Sequence, residues 1–267
     1  MGAMASSIQG TAAPAAVAPL RGELRYSAEL ARLFGDAEMR SPRRRAHAQP
    51  VLLVPGFMAG DASLAVLRAW LQRRGHPVAS SGILANVDCA ERISERLQRR
   101  VRKLAERCGQ PVAVIGQSRG GALARALAVR EPDHVCALVM LGSPIRDGLA
   151  VAPQVLRTVA WVARLGDLRL PGLLSTRCRD GECCERFRED LLAPLPDGVE
   201  AVAVHSRSDA IVDWRACLDP HVQQVEVDSS HCGMSVNPAV YRVIDGFLDR
   251  VQERAQAPAM AERRWTT

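Results

Sequence analysis

The chain has 267 residues and a formal net charge of +6, and 48% of its residues are hydrophobic. This length and composition predict one α/β domain with a large core and exclude a small fold that depends on disulfides. The basic residues are scattered, apart from Arg43–Arg45 and an arginine-rich helix around Arg99–Arg107. They therefore indicate solvated surfaces and no nucleic-acid partner.

The chain begins with a segment rich in Ala, Pro and Ser, residues 1 to about 22, which is predicted to be disordered. A short helix is predicted over Leu24–Phe34, followed by a basic linker over Arg40–His47. We therefore expect an N-terminal extension over 1–47, a main domain over 48–254 and a frayed C-terminal tail over 255–267. No uncharged apolar run reaches the length of a membrane span. A cytoplasmic location is expected, with secretion left open.

Strands and helices alternate through the main domain. The predicted strands lie within 50–54, 77–80, 112–115, 135–141, 199–204 and 222–227, and the predicted helices near 61–74, 88–108, 120–130, 214–217 and 238–251. Short apolar strands that alternate with helices predict a mostly parallel sheet with helices on both faces.

The segment from about 145 to 197 breaks this alternation and is predicted to be an insertion. It contains an apolar helix, Val151–Leu165, and a shorter helix around Phe187–Leu192. The insertion follows a strand at the carboxyl edge of the sheet, where active sites of α/β folds lie. One interpretation is a helical cap that lines a substrate pocket through Leu156 and Val159, and the other is a helix packed permanently on the domain.

The eight cysteines do not resemble the framework of a small secreted domain. Three of them lie close together, as Cys178, Cys183 and Cys184. A zinc knuckle would require a C-x-x-C pair with a matching second pair, and neither is present, so no metal site is predicted. Free thiols, or a disulfide among these three and Cys217, both remain open.

A nucleophile motif follows the buried strand that ends near Ile115. Gly116-Gln-Ser118-Arg-Gly120 has the G-x-S-x-G pattern, and the residues after it favour a helix. Strand, tight turn and helix form the context in which such a serine is exposed as a nucleophile. Ser118 is therefore the candidate nucleophile. The alternative is an ordinary serine in a glycine-rich loop.

A serine hydroxyl needs a base, and the base needs an acid that orients it. His231 lies between the last predicted strand and the last helix, where it could reach the serine, and His205 at a strand end is a lesser candidate. Asp209 follows the penultimate strand and is the candidate acid. Asp213 is the other candidate for the acid. Its alternative role is to face solvent or to cap a helix.

The developing oxyanion of an acyl transfer needs a pair of backbone N–H donors. One is expected from Arg119, the residue after the nucleophile. The loop Gly56-Phe57-Met58 should provide the other, with Phe57 preferred to Met58 as the donor and Met58 expected to line the pocket.

At this point the chain resembles bacterial lipases and esterases of the α/β-hydrolase superfamily, from about Pro50 to Val251. The motifs that carry the resemblance are Val54-Pro-Gly-Phe57, Gly116-Gln-Ser-Arg-Gly-Gly121, Gly142-Ser-Pro144, Ser208-Asp-Ala-Ile-Val212 and Ser230-His231. The resemblance implies the α/β-hydrolase fold and hydrolysis of carboxylic esters through an acyl-enzyme. It also implies that no cofactor is needed and that a mobile cap covers an apolar acyl pocket. Two positions depart from the usual lipase pattern. Pro55 occupies a position where lipases usually have His, and Gln117, just before the serine, occupies one where they usually have His or Tyr.

The expected partner is thus a small-molecule or lipid ester, and the oligomeric state is left open. Two alternatives remain. An acyltransferase would use the same three residues and pass the acyl group to an alcohol or amine. A catalytically inactive member of the superfamily would use the fold for binding only.

Overall fold

The structure is a computed structural model that describes residues 17–40 and 48–263. The predicted disorder over residues 1–16, most of the basic linker (41–47) and the last tail residues (264–267) lie outside the described residues. Within 17–40 and 48–263, no helix combines the length and hydropathy that crossing a bilayer requires.

Six parallel strands form one sheet, as the sequence predicts, in the order β2-β1-β3-β4-β5-β6. The strands are β1 (Val51–Val54), β2 (Val78–Ser80), β3 (Val112–Gln117), β4 (Val135–Leu141), β5 (Glu200–His205) and β6 (Gln223–Glu226). The central strands β1 and β3 are buried along their whole length because both faces of the sheet are covered.

Helices cover both faces, which confirms the predicted parallel sheet with helices on both sides. They are α1 (Tyr26–Gly35), α2 (Ala37–Arg40), α3 (Ala65–Arg73), α4 (Ala90–Cys108), α5 (Arg119–Arg130), α6 (Pro153–Asp167), α7 (Thr176–Asp180), α8 (Glu185–Leu192) and α9 (Pro238–Arg263). Alternate strand residues face opposite layers. Leu53 belongs to the core under α3 and α9, whereas Leu52 belongs to the core under α4 and α5.

Two helix ends differ from the sequence prediction. Asp88 begins the predicted helix, whereas α4 begins at Ala90 with Cys89 as its N-cap; the Asp88 carboxylate accepts from the Cys89 N–H and from Arg92 and Arg96. Helix α9 continues to Arg263 rather than ending near Val251, because most of the residues that follow, Pro258 apart, are good helix formers.

The described part of the N-terminal extension packs against the main domain. Residues Leu20–Arg25 form a 3₁₀ helix, which overlaps the segment predicted to be disordered, and α1 follows directly. Helix α1 contacts the 3₁₀ helix Cys232–Val236 and the start of α9. Leu33 of α1 is completely buried in the core beneath α3 and α9.

The insertion predicted at about 145–197 contains α6, α7, a 3₁₀ helix at Glu182–Cys184 and α8. Helix α8 lies against α5 of the main domain, where the Arg125 guanidinium donates to the carbonyl oxygens of Leu191 and Ala193 at 2.8 and 2.9 Å. An isolated antiparallel bridge also joins Val151 to Val212, close to the end of β5. The insertion therefore contacts the main domain both at α5 and close to the carboxyl end of β5.

Candidate active site

Ser118 occupies a strained turn between β3 and α5. Its backbone has φ 54° and ψ −126°, a conformation that costs energy for any residue with a Cβ, and its N–H donates to the Leu141 oxygen at 2.7 Å. A Cβ at Gly116 would lie 2.3 Å from the Gly120 oxygen, and one at Gly120 would lie 2.2 Å from the Val54 oxygen. The two glycines are required because strand, turn and helix approach too closely for any side chain.

His231 and Asp209 meet at the carboxyl edge of the sheet. His231 Nδ1 lies 2.7 Å from Asp209 Oδ2, and both side chains are buried. The other carboxylate oxygen of Asp209 accepts from the backbone N–H groups of Ile211 and Val212, each at 2.8 Å. Because one oxygen is fixed by the loop backbone, the second is held toward the imidazole.

The rival residues have other roles in the structure. Asp213 caps the 3₁₀ helix Trp214–Cys217 by accepting from the Arg215 N–H at 3.0 Å. His205 stacks on the Trp214 ring at 5.8 Å between ring centroids, and its imidazole lies 3.9 Å from Glu226. Neither residue takes part in the Asp209–His231 contact.

The pKa of His231 is shifted upward by its carboxylate neighbour. Burial of the imidazole alone would lower its pKa, but the charge of Asp209, its hydrogen bond and the charge of Glu23 together raise the pKa of His231 above its usual value. His205 behaves oppositely, because burial lowers its pKa and outweighs the attraction of Glu226. The two histidines therefore titrate on opposite sides of the ordinary value of about 6.5.

This difference predicts the pH dependence of any activity that uses His231 as a base. We expect kcat/KM to rise with pH through one ionisation whose midpoint lies above about 6.5, because only neutral imidazole accepts a proton. A pH–rate profile of the wild type and of His205→Gln would measure it. The midpoint should be the same in both proteins. A midpoint below 6.5 that disappears in His205→Gln would instead identify His205 as the base.

Ser118 and His231 line the same cavity, although no hydrogen bond joins their side chains among the described residues. Such contacts are often long in the absence of substrate. Gly142 after β4 leaves room for the imidazole, since a Cβ there would lie 3.2 Å from His231 Nδ1.

Two backbone N–H groups at the mouth of the turn are available to a ligand. The first turn of α5 leaves the Arg119 N–H without an intrahelical acceptor. The Met58 N–H donates to the Asn86 oxygen at 3.2 Å, whereas the Phe57 N–H has no acceptor among the described residues. This pattern favours Phe57 over Met58 as the second donor.

The Arg119 side chain turns away from the turn and into the interior. Its guanidinium donates to the Asn86 backbone oxygen at 2.9 Å, to Asn86 Oδ1 at 2.7 Å and to the Asp88 backbone oxygen at 2.7 Å. Burial lowers the pKa of Arg119 to about 10, so the group remains charged at neutral pH. All three acceptors are uncharged, so this partly buried cation has no carboxylate in hydrogen-bond contact.

The cavity above Ser118 has a volume of about 910 Å³. Its walls come from the loop after β1, from α6 and from α8, and they include Met58, Leu156 and Val159. These are the three residues that the sequence predicts to line a pocket. Only one carboxylate, Asp147, is found among the described lining residues, and most of the remaining surface is apolar.

The loop that carries His231 is held by two glutamates that the sequence analysis did not single out. Glu23 accepts from the backbone N–H groups of His231 and Cys232, each at 2.9 Å. Glu29 accepts from the Ser230 N–H at 2.9 Å and from its hydroxyl at 2.8 Å. Nothing in the local sequence distinguishes these residues from solvated helix glutamates, because their partners lie more than 200 positions away.

Beside the cavity, four cysteine sulfur atoms lie within 4.8 Å of one another. They belong to Cys89 before α4 and to Cys178, Cys183 and Cys184 of the insertion. None of the eight cysteines forms a disulfide in the structure, and Cys217 is buried apart from this cluster. The local sequence contains no C-x-x-C pair that would indicate a metal site, because the fourth sulfur comes from Cys89 at a distant helix end.

The family model described as serine aminopeptidase, S33, matches residues 70–211, which is more than half of the chain. The chain belongs to this family of α/β-hydrolases. The matched region contains Ser118 and Asp209 and ends before His231. No curated protein matches the hydrolase at the sequence level.

Solved structures with the same fold include lipases and esterases. The hydrolase is similar to mature Bacillus licheniformis lipase BlEst2, with a TM-score of 0.59 and 14% identity over 78% of this chain and 94% of that one. It is also similar to a structure from the metagenome-derived lipolytic enzymes LipS and LipT, with a TM-score of 0.54 and 16% identity over 79% of this chain and 96% of that one. A carboxylesterase structure from Nitrososphaera gargenis has a TM-score of 0.51 and 15% identity over 79% and 94%. At these identities the likeness concerns the fold.

Proposed function

We propose that this hydrolase cleaves carboxylic esters through an acyl-enzyme, with Ser118 as nucleophile, His231 as general base and Asp209 as the acid that orients His231. The observation that carries the proposal is the convergence of the strained serine and the His231–Asp209 pair on one apolar cavity. No cofactor is required for this chemistry.

In the proposed reaction, Ser118 Oγ attacks the ester carbonyl carbon while its proton passes to His231 Nε2. Asp209 Oδ2 accepts a hydrogen bond from His231 Nδ1–H, which fixes the tautomer and stabilises the imidazolium. The carbonyl oxygen becomes an oxyanion that the N–H groups of Arg119 and Phe57 stabilise. The imidazolium then protonates the departing alcohol, and a water molecule, deprotonated by His231, releases the acid.

The cavity lining favours an acyl ester over a free peptide N-terminus. An aminopeptidase must hold a substrate ammonium group, for which carboxylates are the usual partners. Here Asp147 is the one carboxylate among the described lining residues, and one of its oxygens already accepts from the Leu149 N–H at 2.8 Å. Apolar residues of α6, such as Leu156 and Val159, instead offer a surface for an alkyl chain.

The function can be tested by measuring turnover of chromogenic esters of increasing acyl length, from acetate to octanoate. Turnover of an aminoacyl amide of the same chromophore is measured for comparison. We expect ester turnover that increases with chain length, since each buried methylene contributes roughly 0.8 kcal/mol. Val159→Asp should lower octanoate turnover roughly tenfold or more and acetate turnover little. Trp161→Asp is the matched control, because Trp161 lies on α6 but is 62% exposed and is not part of the cavity lining.

Equal losses on acetate and octanoate in folded Val159→Asp protein would show that α6 is scaffold only. Turnover of the amide alone would replace the ester proposal by a peptidase. Product that accumulates as a transferred ester when an alcohol is added, at the expense of free acid, would identify an acyltransferase.

A further inference from the structure

Four cysteine side chains from two distant parts of the chain converge beside the cavity, and the proposed ester chemistry uses none of them. Cys89 lies at the N-terminal end of α4, while Cys178, Cys183 and Cys184 lie in the insertion. Their sulfur atoms are all within 4.8 Å of one another. Cys89 and Cys184 are buried, Cys178 is half-buried and Cys183 is exposed.

The spacing of these sulfur atoms matches a tetrahedral metal site better than a disulfide. Four sulfurs at about 2.3 Å from one zinc ion lie roughly 3.8 Å from each other. The Cys89 and Cys184 sulfurs are 3.4 Å apart, and those of Cys183 and Cys184 are 3.8 Å apart. A disulfide would require a sulfur–sulfur distance of about 2.05 Å and would leave two of the four thiols unpaired.

We propose that Cys89, Cys178, Cys183 and Cys184 bind one zinc ion as a four-thiolate structural site. Each thiol loses its proton to solvent when its sulfur binds the metal, so binding releases protons and involves no redox change. Four protein ligands leave no open coordination position, which makes the ion structural rather than catalytic.

The charges around the cluster suit such a site. Zinc with four thiolates carries a net double negative charge, which needs nearby cations. Negative charge on Cys184, Cys89 or Cys178 stabilises the charged form of Arg119, the partly buried cation whose hydrogen bonds reach only uncharged oxygens. Negative charge on Cys89 and Cys178 also favours the charged form of Arg92, although the guanidinium of Arg92 is paired first with Asp88.

Neighbouring polar groups also orient one of the ligands. The Ser175 N–H lies 3.3 Å from the Cys178 sulfur, and the Ser175 hydroxyl lies 3.4 Å from it. Donors of this kind stabilise a metal-bound thiolate and fix its direction. The ion would join the core helix α4 to the α7–α8 half of the insertion. Since Cys178 and Cys184 line the cavity, it would hold that wall in place next to Ser118.

The test is metal analysis of protein produced with zinc and purified in a thiol-free reductant without chelator. One zinc ion per chain is expected in the wild type. Cys89→Ser and Cys184→Ser should each lose most of it. Cys108→Ser is the matched control, because Cys108 lies on α4 at the end opposite Cys89 and outside the cluster, and it should keep the full zinc content.

A second measurement does not depend on how the variants fold. Wild-type protein stripped of metal and titrated with Co²⁺ should show thiolate-to-cobalt charge transfer and the visible bands of a tetrahedral thiolate site, saturating at one equivalent. Absence of zinc from the purified wild type together with no such spectrum would overturn the proposal. Iron in place of zinc would also overturn it. A disulfide would do the same, and it would appear as an intact mass lower by two hydrogens, with cluster thiols that react with an alkylating reagent only after reduction.

Discussion

Ser118→Ala is expected to reduce ester turnover by roughly 10⁴- to 10⁶-fold, and His231→Ala by a similar factor, because nucleophile and base act as one unit. For the same reason the double variant should be little worse than either single variant. Single-turnover kinetics on a medium-chain ester would measure all three. A fluorophosphonate probe should label the wild type and leave Ser118→Ala unlabelled.

Both substitutions leave the fold intact on physical grounds. Alanine retains the Cβ of Ser118 and adds no new contact, and His231→Ala removes the contact to Asp209 but leaves the backbone contacts of the loop to Glu23 and Glu29 in place. Circular dichroism and Tm provide the control. Losses that multiply in the double variant would show that Ser118 and His231 do not share one mechanism, and labelling of Ser118→Ala would exclude Ser118 as the nucleophile.

Asp209→Asn should lower kcat/KM by about 10⁴-fold while leaving stability nearly unchanged. The amide oxygen of asparagine can still accept from the Ile211 and Val212 N–H groups, so the loop is preserved. Its NH₂ group, however, would face His231 Nδ1 and force the proton onto Nε2, where Ser118 needs an acceptor.

Asp213→Asn is the matched control for this effect. Asparagine caps a helix about as well as aspartate, so the 3₁₀ helix Trp214–Cys217 should persist and turnover should stay near the wild-type value. If Asp213→Asn were the damaging change and Asp209→Asn the harmless one, the assignment of the acid would be reversed.

Local sequence patterns predicted the elements whose physical cause is local. The six strands are recognisable because they are short apolar runs between turn residues, and Ser118 because strand, glycine-flanked turn and helix are contiguous. Asp209 and His231 could be proposed from their positions after strand ends, since parallel strands bring those ends to one edge. Whether Asp209 or Asp213 meets the histidine depended on loop geometry that spacing alone does not contain.

The contacts that sequence reasoning missed join distant segments. Cys89 looks like an isolated cysteine until α4 and the insertion are packed together, and Glu23 and Glu29 look like ordinary surface acids. Arg119 was expected only as a backbone donor, because nothing in its neighbours indicates that its side chain points inward. Partners separated by tens to hundreds of residues leave no periodicity in the sequence.

The glutamate contacts to the His231 loop have a consequence for how the protein is made. Glu29 is synthesised 201 residues before its partner Ser230, so its carboxylate must stay hydrated while almost the whole domain emerges from the ribosome. The strands β1–β4 and the Ser118 turn are synthesised during that interval, whereas the loop bearing His231 can reach its final position only when Glu23 and Glu29 meet residues 230–232. Placement of His231, the proposed general base, therefore depends on contact between segments about 200 residues apart in the chain, and Ser118 would lack its proposed base until that contact forms.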